Sequence, residues 1–133
     1  MANFQIRPFA SGDERLILAA FAHVFPNCRS KAIWDWIYRS NADGARIMLC
    51  VAKNGELAAH YAATVHRTIH GVENLHIGHI RDAFSLPKYR SVMLGRAGLF
   101  VKTAESLYQQ WGLNAGLAFY YGFPSQRHSR LGN

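Results

Sequence analysis

The stretch DAFSLPKYRSVMLGRAGL, residues 82–99, decides the fold, because it joins a segment of alternating apolar residues to an amphipathic one. It contains two arginines, Arg90 and Arg96, and two glycines, Gly95 and Gly98. Backbone N–H groups at the start of a helix, together with the positive end of the helix dipole, bind pyrophosphate. The stretch therefore predicts a phosphate-binding turn between a strand and a helix. The alternative is a plain loop, in which the glycines only separate two elements.

Upstream of this stretch, the pattern predicts one strand and then two helices. Residues 4–10 alternate as in a strand, and residues 11–14 form a capping-box signature in front of a helix that Pro26 ends. A second helix begins after Ser30 and has one apolar face. That face is formed by Ile33, Trp34, Ile37 and Tyr38.

The period of the apolar residues then changes to two, which is typical of strands. Strands are predicted at residues 46–53, 56–70 and 74–84, with hairpin turns at residues 54–55 (Asn-Gly) and near residue 71. These three segments therefore predict an antiparallel meander.

A helix follows the glycine turn, and a last strand follows the helix. Apolar residues recur at helical spacing from Leu99 to Trp111, and Gly112 lies where a left-handed C-cap would fall. Residues 117–123 are typical of a buried strand. The resulting order is β-α-α-β-β-β-α-β, which is an α+β fold.

Seven histidines raise the question of a metal site. If the turn at residues 71–72 is tight, Thr64 lies opposite His79, and His66 becomes a diagonal neighbour of His79. His66 and His70 would lie about 13 Å apart on one strand. That is too far to share one ion, because metal–nitrogen bonds are only about 2 Å long. The spacing therefore predicts a two-histidine polar patch and no metal site.

Composition excludes several classes of protein. The chain has 133 residues, of which 50% are hydrophobic and 17% are charged, as expected for one folded domain. No apolar run approaches the ~20 residues of a membrane-spanning helix, and two cysteines are too few for a disulfide scaffold. We therefore expect a reduced, cytoplasmic protein with no membrane partner. The net charge of +7 favours anionic partners, but the arginines are dispersed, which argues against a nucleic-acid-binding face.

Several short runs add to this order of elements. They are Ile6-Arg7-Pro8, Trp34-Asp-Trp-Ile-Tyr38, Val51 to Gly55, Asp82 to Arg90, and Tyr121 to Pro124. Together they resemble the GNAT superfamily of acyl-CoA-dependent N-acyltransferases, over nearly all of the chain. The resemblance implies a single domain, residues 1–133, with a mixed, mainly antiparallel sheet flanked by helices.

The chain departs from the family pattern in two places. The fourth residue counted from Arg90 is Met93, where the family has glycine. The family also continues past its fifth strand into a helix and a final hairpin, for which no residues remain before Asn133. We therefore predict a C-terminally incomplete fold, and a homo-oligomer such as a dimer that covers the exposed edge of the sheet.

The resemblance implies acetyl-CoA as a co-substrate, with no metal. The pantetheine arm would lie beside the segment from Asp82 to Ser85, and the pyrophosphate would contact backbone amides between Arg90 and Leu99. The cofactor-binding residues expected on this basis are Ala83, Phe84, Ser85, Arg90, Gly95, Arg96, Ala97, Gly98 and Leu99.

The implied reaction is direct attack on the thioester by a neutral primary amine, on a small molecule or a peptide. Asp82 is the candidate base, and Tyr120 or Tyr121 is the candidate acid. The alternative for the tyrosines is core packing, and the alternative for Asp82 is an ion pair with a nearby cation. The nearby cations are Arg81, Lys88 and Arg90. The alternative function is a non-catalytic module of the same fold that binds CoA or another protein.

Overall fold

The computed structural model describes residues 3–27, 29–112 and 117–122. Within these residues the chain forms one five-stranded sheet, whose strands follow one another in chain order. The strands are β1 (Phe4–Pro8), β2 (Ala45–Ala52), β3 (Leu57–His70), β4 (Glu73–Ser85) and β5 (Leu117–Tyr121). Neighbours from β1 to β4 are antiparallel, whereas β5 runs parallel to β4. The predicted α+β class and the predicted order of elements are confirmed.

The helices lie before β2 and between β4 and β5. Before β2 come α1 (Glu14–Val24) and α2 (Lys31–Trp34), which continues into a π-helical turn (Asp35–Arg39). After β4 come a 3-10 turn (Pro87–Tyr89), the short α3 (Arg90–Met93) and α4 (Leu99–Gln110). This connection through α4 allows β5 to run parallel to β4. In the described part of the chain, no helix is both long and apolar enough to cross a membrane.

Both hairpins of the meander turn at the predicted glycines, but the first loop is one residue longer than the predicted Asn54-Gly55 pair. The N–H of Gly55 donates to the carbonyl of Ala52 at 2.9 Å, and Asn54 does not have a positive φ. Gly55 has φ +89° and Gly71 has φ +65°, in the left-handed region that glycine adopts without a steric penalty. The second turn sets the predicted register, in which Thr64 pairs with His79. The ring centroids of His66 and His79 are consequently 6.2 Å apart, as a diagonal pair.

The two faces of the sheet pack against different helices. On the face that we call the α1–α2 face, buried side chains of α1 and α2 form one cluster with side chains of the sheet. Its aromatic members are Phe21, Trp34, Tyr38 and Phe84. On the opposite face, which we call the α4 face, Cys50 and Ala59 cluster with Met93. Cys50 is fully buried there.

Side chains of β3 alternate between these two faces. His60 packs against Tyr38 on the α1–α2 face, whereas the next residue, Tyr61, packs against Phe100 on the α4 face. Because the side-chain period of a strand is two, Thr64 and His66 lie on the same face as His60.

The start of α1 differs from the prediction. Its N-cap is Asp13 rather than Ser11. The reason is that the Asp13 carboxylate accepts hydrogen bonds from Arg7 and from the backbone N–H of Ala10, which fixes the turn in front of the helix.

The start of α2 confirms one prediction and corrects another. Ser30 caps the helix as expected, since its Oγ accepts a hydrogen bond from the N–H of Ile33 at 3.2 Å. The side chain of Ile33, however, is 50% exposed. Trp34 and Tyr38, four residues apart, occupy the buried face, and Ile33 lies about 100° around the helix from Trp34.

The stretch after β4 is more helical than the predicted loop. Pro87 opens the 3-10 turn, because its fixed φ suits the start of a helix, and Arg90 begins α3. Gly95 has φ +86°. A Cβ on Gly98 would overlap the carbonyl oxygen of Met93. The two glycines therefore let the chain reverse tightly between α3 and α4.

The end of α4 and the last strand also correct the predictions. Gly112 does not have the positive φ of a left-handed cap. A Cβ there would instead lie 2.7 Å from the carbonyl oxygen of Tyr108, so close approach explains the glycine. β5 is buried at Leu117, but Phe119 is 52% exposed, because its side chain lies beyond the cluster that α1 and α2 cover. The predictions for Phe123 and the residues after it lie outside the described residues.

Candidate active site

A bulge interrupts β4 at the predicted pantetheine segment. The pairing with β3 shifts between His60 and Ala62, so that Asp82 and Ala83 together lie opposite the single residue Tyr61. Asp82 has φ +51°, and within the described ranges it is the only non-glycine residue with a positive φ. A left-handed L-residue costs roughly 1–2 kcal/mol. Contacts from the surroundings must therefore hold Asp82 in this conformation.

Two side chains from the segment before β2 hold the carboxylate of Asp82. Arg29, just ahead of α2, donates to both oxygens, with an Nη1–Oδ2 distance of 2.5 Å and an Nη2–Oδ1 distance of 3.3 Å. Tyr38, in the π-helical turn, donates its hydroxyl proton to Oδ2. A bidentate arginine with a second donor is a strong and directional arrangement. The two contacts therefore hold residues before and after α2 against the bulge.

These contacts keep Asp82 ionised. Burial by itself favours the neutral acid, but the hydrogen bonds from Arg29 and Tyr38 outweigh it and lower the pKa of Asp82 below its ordinary value. Burial, followed by the charge of Asp82, raises the pKa of Tyr38 well above its ordinary value. At neutral pH the pair is therefore a carboxylate and a neutral tyrosine.

The ion pair that was the alternative for Asp82 does form, but with a different partner. Arg29 is 53 residues away in the chain, so spacing could not indicate its proximity. Lys88 pairs instead with Glu56 at 2.6 Å, and Arg81 donates to a threonine hydroxyl. The expectation that Arg81, Lys88 or Arg90 pairs with Asp82 was wrong.

A buried histidine holds the backbone of the bulge. His60 is 0% exposed, and its Nδ1 lies 2.7 Å from the carbonyl oxygen of Asp82. A carbonyl oxygen only accepts, so Nδ1 is the nitrogen that has the proton. Burial lowers the pKa of His60, and its ring stacks on Phe84 at a centroid distance of 5.1 Å. His60 is therefore a neutral imidazole that fixes the peptide bond after Asp82, a role that sequence reasoning missed.

Among the described residues, the C-terminal half of β4 has one open edge, on the side of β5. β4 is paired with β3 as far as Ser85. Within the described ranges its pairing with β5 extends only from His76 to His79. Residues 80–85 therefore have an edge on the β5 side that can pair with an extended ligand. The predicted cofactor residues Ala83, Phe84 and Ser85 all lie in this segment.

The two candidate acids lie on opposite faces of β5. The hydroxyl of Tyr120 donates to the carbonyl oxygen of Trp111 on the α4 face, and burial raises the pKa of Tyr120 to about 12. The ring of Tyr121 stacks on His79 at a centroid distance of 4.7 Å. Tyr121 therefore lies on the α1–α2 face. The catalytic role of either residue stays a prediction.

A polar patch adjoins the bulge on the α1–α2 face. We call it the histidine patch, and it consists of Thr64, His66, His79, Arg81 and Tyr121. Arg81 Nε donates to Thr64 Oγ1 at 3.0 Å, and the same hydroxyl lies 2.8 Å from His66 Nε2. The predicted two-histidine patch is confirmed. Across the described ranges, no group of three or more His, Cys, Asp or Glu side chains could hold a metal ion.

The predicted phosphate-binding residues lie in and beside the turn between α3 and α4. Gly98 is the N-cap of α4, and as a glycine it has no side chain to cap the helix. Its N–H donates to the carbonyl of Gly95 at 3.1 Å. The N–H groups in the first turn of a helix have no acceptor within the helix, so they can bind an anion. Arg90 and Arg96 are exposed and form no ion pair with any described residue. Phosphate binding at this turn stays a prediction.

Comparison with known proteins identifies the fold. An acetyltransferase of Trypanosoma brucei superposes with a TM-score of 0.73 at 15% identity, over 98% of this chain and 92% of that one. Glucosamine-6-phosphate N-acetyltransferase from Arabidopsis thaliana superposes with a TM-score of 0.68 at 19% identity, over 99% and 92%. AAC(6')-Iy, solved with the bisubstrate analogue CoA-S-monomethyl-acetylneamine, superposes with a TM-score of 0.68 at 17% identity, over 97% and 84%.

Identities this low show the fold alone. No family model and no curated protein matches the chain. The chain has the fold of the GNAT acetyltransferases, as the sequence resemblance predicted.

Proposed function

We propose that this protein transfers the acetyl group of acetyl-CoA to a primary amine. The supporting observation is the bulge at Asp82 and Ala83 beside the open edge of residues 80–85. A pantetheine arm is an extended chain with two amide groups, and an unpaired strand edge offers the hydrogen bonds that it needs. AAC(6')-Iy, which has the same fold, was solved with CoA, and this supports the choice of ligand.

The proposed cofactor residues form two groups. Ala83, Phe84 and Ser85 flank the pantetheine arm along the open edge of β4. The segment from α3 to the start of α4 binds the pyrophosphate through its amides and its free arginines. Its residues are Arg90, Gly95, Arg96, Ala97, Gly98 and Leu99.

The bulge also supplies a hydrogen bond to the reacting thioester in this proposal. In a trans peptide the N–H and C=O groups point in opposite directions. His60 holds the carbonyl of Asp82 on the β3 side, so the N–H of Ala83 is directed to the open edge. There it donates to the thioester oxygen as negative charge develops during attack by the amine.

Two protons leave the substrate nitrogen in the proposed reaction. The first passes to the base before attack. As the amide forms, the acid gives its proton to the leaving CoA thiolate and regains the second proton of the nitrogen, so the products are the amide, the CoA thiol and one proton. Asp82 is the proposed base, acting through water, although its lowered pKa also suits a purely ion-pairing role. We propose Tyr121 rather than Tyr120 as the acid, because Tyr121 stacks on His79 on the α1–α2 face, whereas Tyr120 lies on the α4 face and donates its proton to the carbonyl oxygen of Trp111.

Calorimetric titration with CoA tests the proposal first. We expect one molecule to bind, and the melting temperature to rise with ligand concentration, because a ligand selective for the folded state stabilises it. Arg96→Ala should weaken binding. Lys53→Ala, an equal loss of charge on the β2–β3 hairpin, should leave it unchanged. If millimolar CoA produces neither a heat of binding nor a rise in melting temperature, the proposal is disproved.

Release of the CoA thiol in the presence of a panel of primary amines measures turnover. If Asp82 is the base, Asp82→Asn should lower kcat/KM by roughly 10²-fold or more while CoA still binds. Tyr121→Phe should slow turnover, and Tyr120→Phe serves as its matched control. Binding of CoA without turnover of any amine would favour the non-catalytic module instead.

A further inference from the structure

A second substrate can reach the bulge from the face of the sheet that α4 does not cover. α4 packs on β1, β2 and β3 and covers the α4 face. On the α1–α2 face, His79 and Arg81 immediately precede the bulge in β4, and Tyr121 lies on the other border of the open edge. The histidine patch is therefore the surface that an acceptor meets beside the thioester.

The histidine patch has one permanent charge, and it is positive. Arg81 uses Nε to hold Thr64 and has no ion-pair partner among the described residues. The carboxylate of the next residue along the chain, Asp82, is already bound by Arg29 and Tyr38. An ammonium group brought here without a compensating anion would therefore be repelled.

The histidines of the patch do not offset this charge. Burial, followed by the charges of Arg81 and His66, lowers the pKa of His79, so its imidazole is neutral at pH 7. Thr64 accepts a hydrogen bond from Arg81, and its own proton is then available to His66 Nε2. The patch thus combines the Arg81 cation with polar donors and acceptors, which suits an anionic, hydrogen-bonding ligand.

Acidic side chains elsewhere do not supply a site for a polycation. Six of the eight acidic residues form ion pairs within the described ranges. The other two are Glu73, at the tip of the β3–β4 hairpin, and Glu105, on the exposed side of α4. Neither lies on the histidine patch.

We infer that the amine accepted by this protein also has a phosphate or carboxylate group, which binds the guanidinium of Arg81. The inference rests on the proposed function and adds the charge class of the acceptor. It distinguishes the proposed acceptor from neamine, a polycationic amine whose acetylated form is part of the analogue bound to AAC(6')-Iy. The anion sits on Arg81, and the amine is directed toward the carbonyl carbon at the bulge.

Matched pairs of acceptors test this inference. Binding to the CoA-saturated protein is measured for glucosamine 6-phosphate against glucosamine, and for β-alanine against β-alaninamide. Neamine is the polycationic comparison. We expect the anionic member of at least one pair to bind tenfold or more tightly than its neutral partner, and neamine to bind more weakly. The pair that shows the larger ratio identifies phosphate or carboxylate as the anion.

Two variants locate the effect at Arg81. Arg81→Gln should abolish the preference for the anionic member, and Arg81→Lys should retain part of it, because lysine keeps the charge but not the bidentate geometry. Arg15→Gln, the same charge change on the exposed side of α1, should leave the preference intact. CoA affinity should be unchanged in all three variants.

The outcomes separate the two proposals. If CoA binds but the neutral amines or neamine bind as well as the anionic ones, or none binds at all, the anionic class is wrong and the proposed function stands. If the preference persists in folded Arg81→Gln, the anion lies elsewhere and the assignment to Arg81 fails. Loss of CoA binding itself would defeat the proposed function first.

Discussion

The two halves of β4 are held in place by different means. From Glu73 to His79 the strand pairs regularly with β3 on one side, and from His76 it pairs with β5 on the other, with one register shift between His76 and Ile77. From Ile80 to Ser85 it contains the bulge and one edge that no described strand pairs with, and side chains from distant segments hold it. Backbone hydrogen bonds therefore determine the regular half, whereas Arg29, Tyr38 and His60 determine the bulged half. A strand held in this way can leave an edge free for a ligand.

The largest effect is expected from removing the arginine that holds the bulge. Arg29→Ala leaves the carboxylate of Asp82 largely buried without its countercharge, and we expect a loss of about 3 kcal/mol in the free energy of unfolding. Arg67→Ala is the control, because its ion pair with Asp43 at 3.0 Å is exposed and is expected to contribute less than about 1 kcal/mol. Urea denaturation measures both. Equal losses would mean that the ion pair does not hold the bulge.

A smaller effect is expected from a single hydroxyl group. Tyr38→Phe removes a hydrogen bond to an ionised carboxylate, so we expect a loss of about 2 kcal/mol. Tyr61→Phe removes the hydrogen bond between the hydroxyls of Tyr61 and Tyr108 on the α4 face, 2.9 Å long and exposed, and should cost about 0.5 kcal/mol. Thermal and urea unfolding compare the two variants. A larger loss in Tyr61→Phe would reverse the comparison.

The smallest effect is a pH dependence of stability. The pKa of His60 is lowered in the folded protein, so the unfolded chain binds more protons below its ordinary pKa of about 6.5. Stability contributed by the neutral imidazole is therefore present above that pH and is lost as the pH falls. Between pH 7.5 and pH 5.5 we expect the wild type to lose about 1 kcal/mol more than His60→Gln does. Parallel pH profiles for the two proteins would show that His60 does not titrate with folding.

Local signals predicted most of the fold. The glycines at residues 55 and 71 mark the two hairpin turns, and the turn at residue 71 sets the β3–β4 register that brings His66 to His79. A hairpin register depends on turn length and side-chain alternation, both of which can be read along the chain. The two-histidine patch was therefore predictable without any knowledge of long-range packing.

The arrangement around Asp82 could not be predicted in the same way. Its partners Arg29 and Tyr38 are 53 and 44 residues away, and nothing in the sequence relates one segment to the other at that distance. One signal was nonetheless present. Arg81 and Asp82 place two polar residues in succession within an alternating strand, which indicates the bulge. As a result, Ile80 and Phe84 have the same parity but lie on opposite faces of the sheet.

The π-helical turn from Asp35 to Arg39 makes the position of Tyr38 depend on the length of the segment. The N–H of Ser40 bonds the carbonyl of Asp35, five residues earlier, at 2.8 Å, so this turn contains one residue more than an α-helical turn. Deleting a single residue there would turn the last side chains of the segment by about 100°. The hydroxyl of Tyr38 would then lose its contact with Asp82, although every neighbouring amino acid would be unchanged. Insertions and deletions in this segment are therefore expected to disrupt the site more than conservative substitutions do.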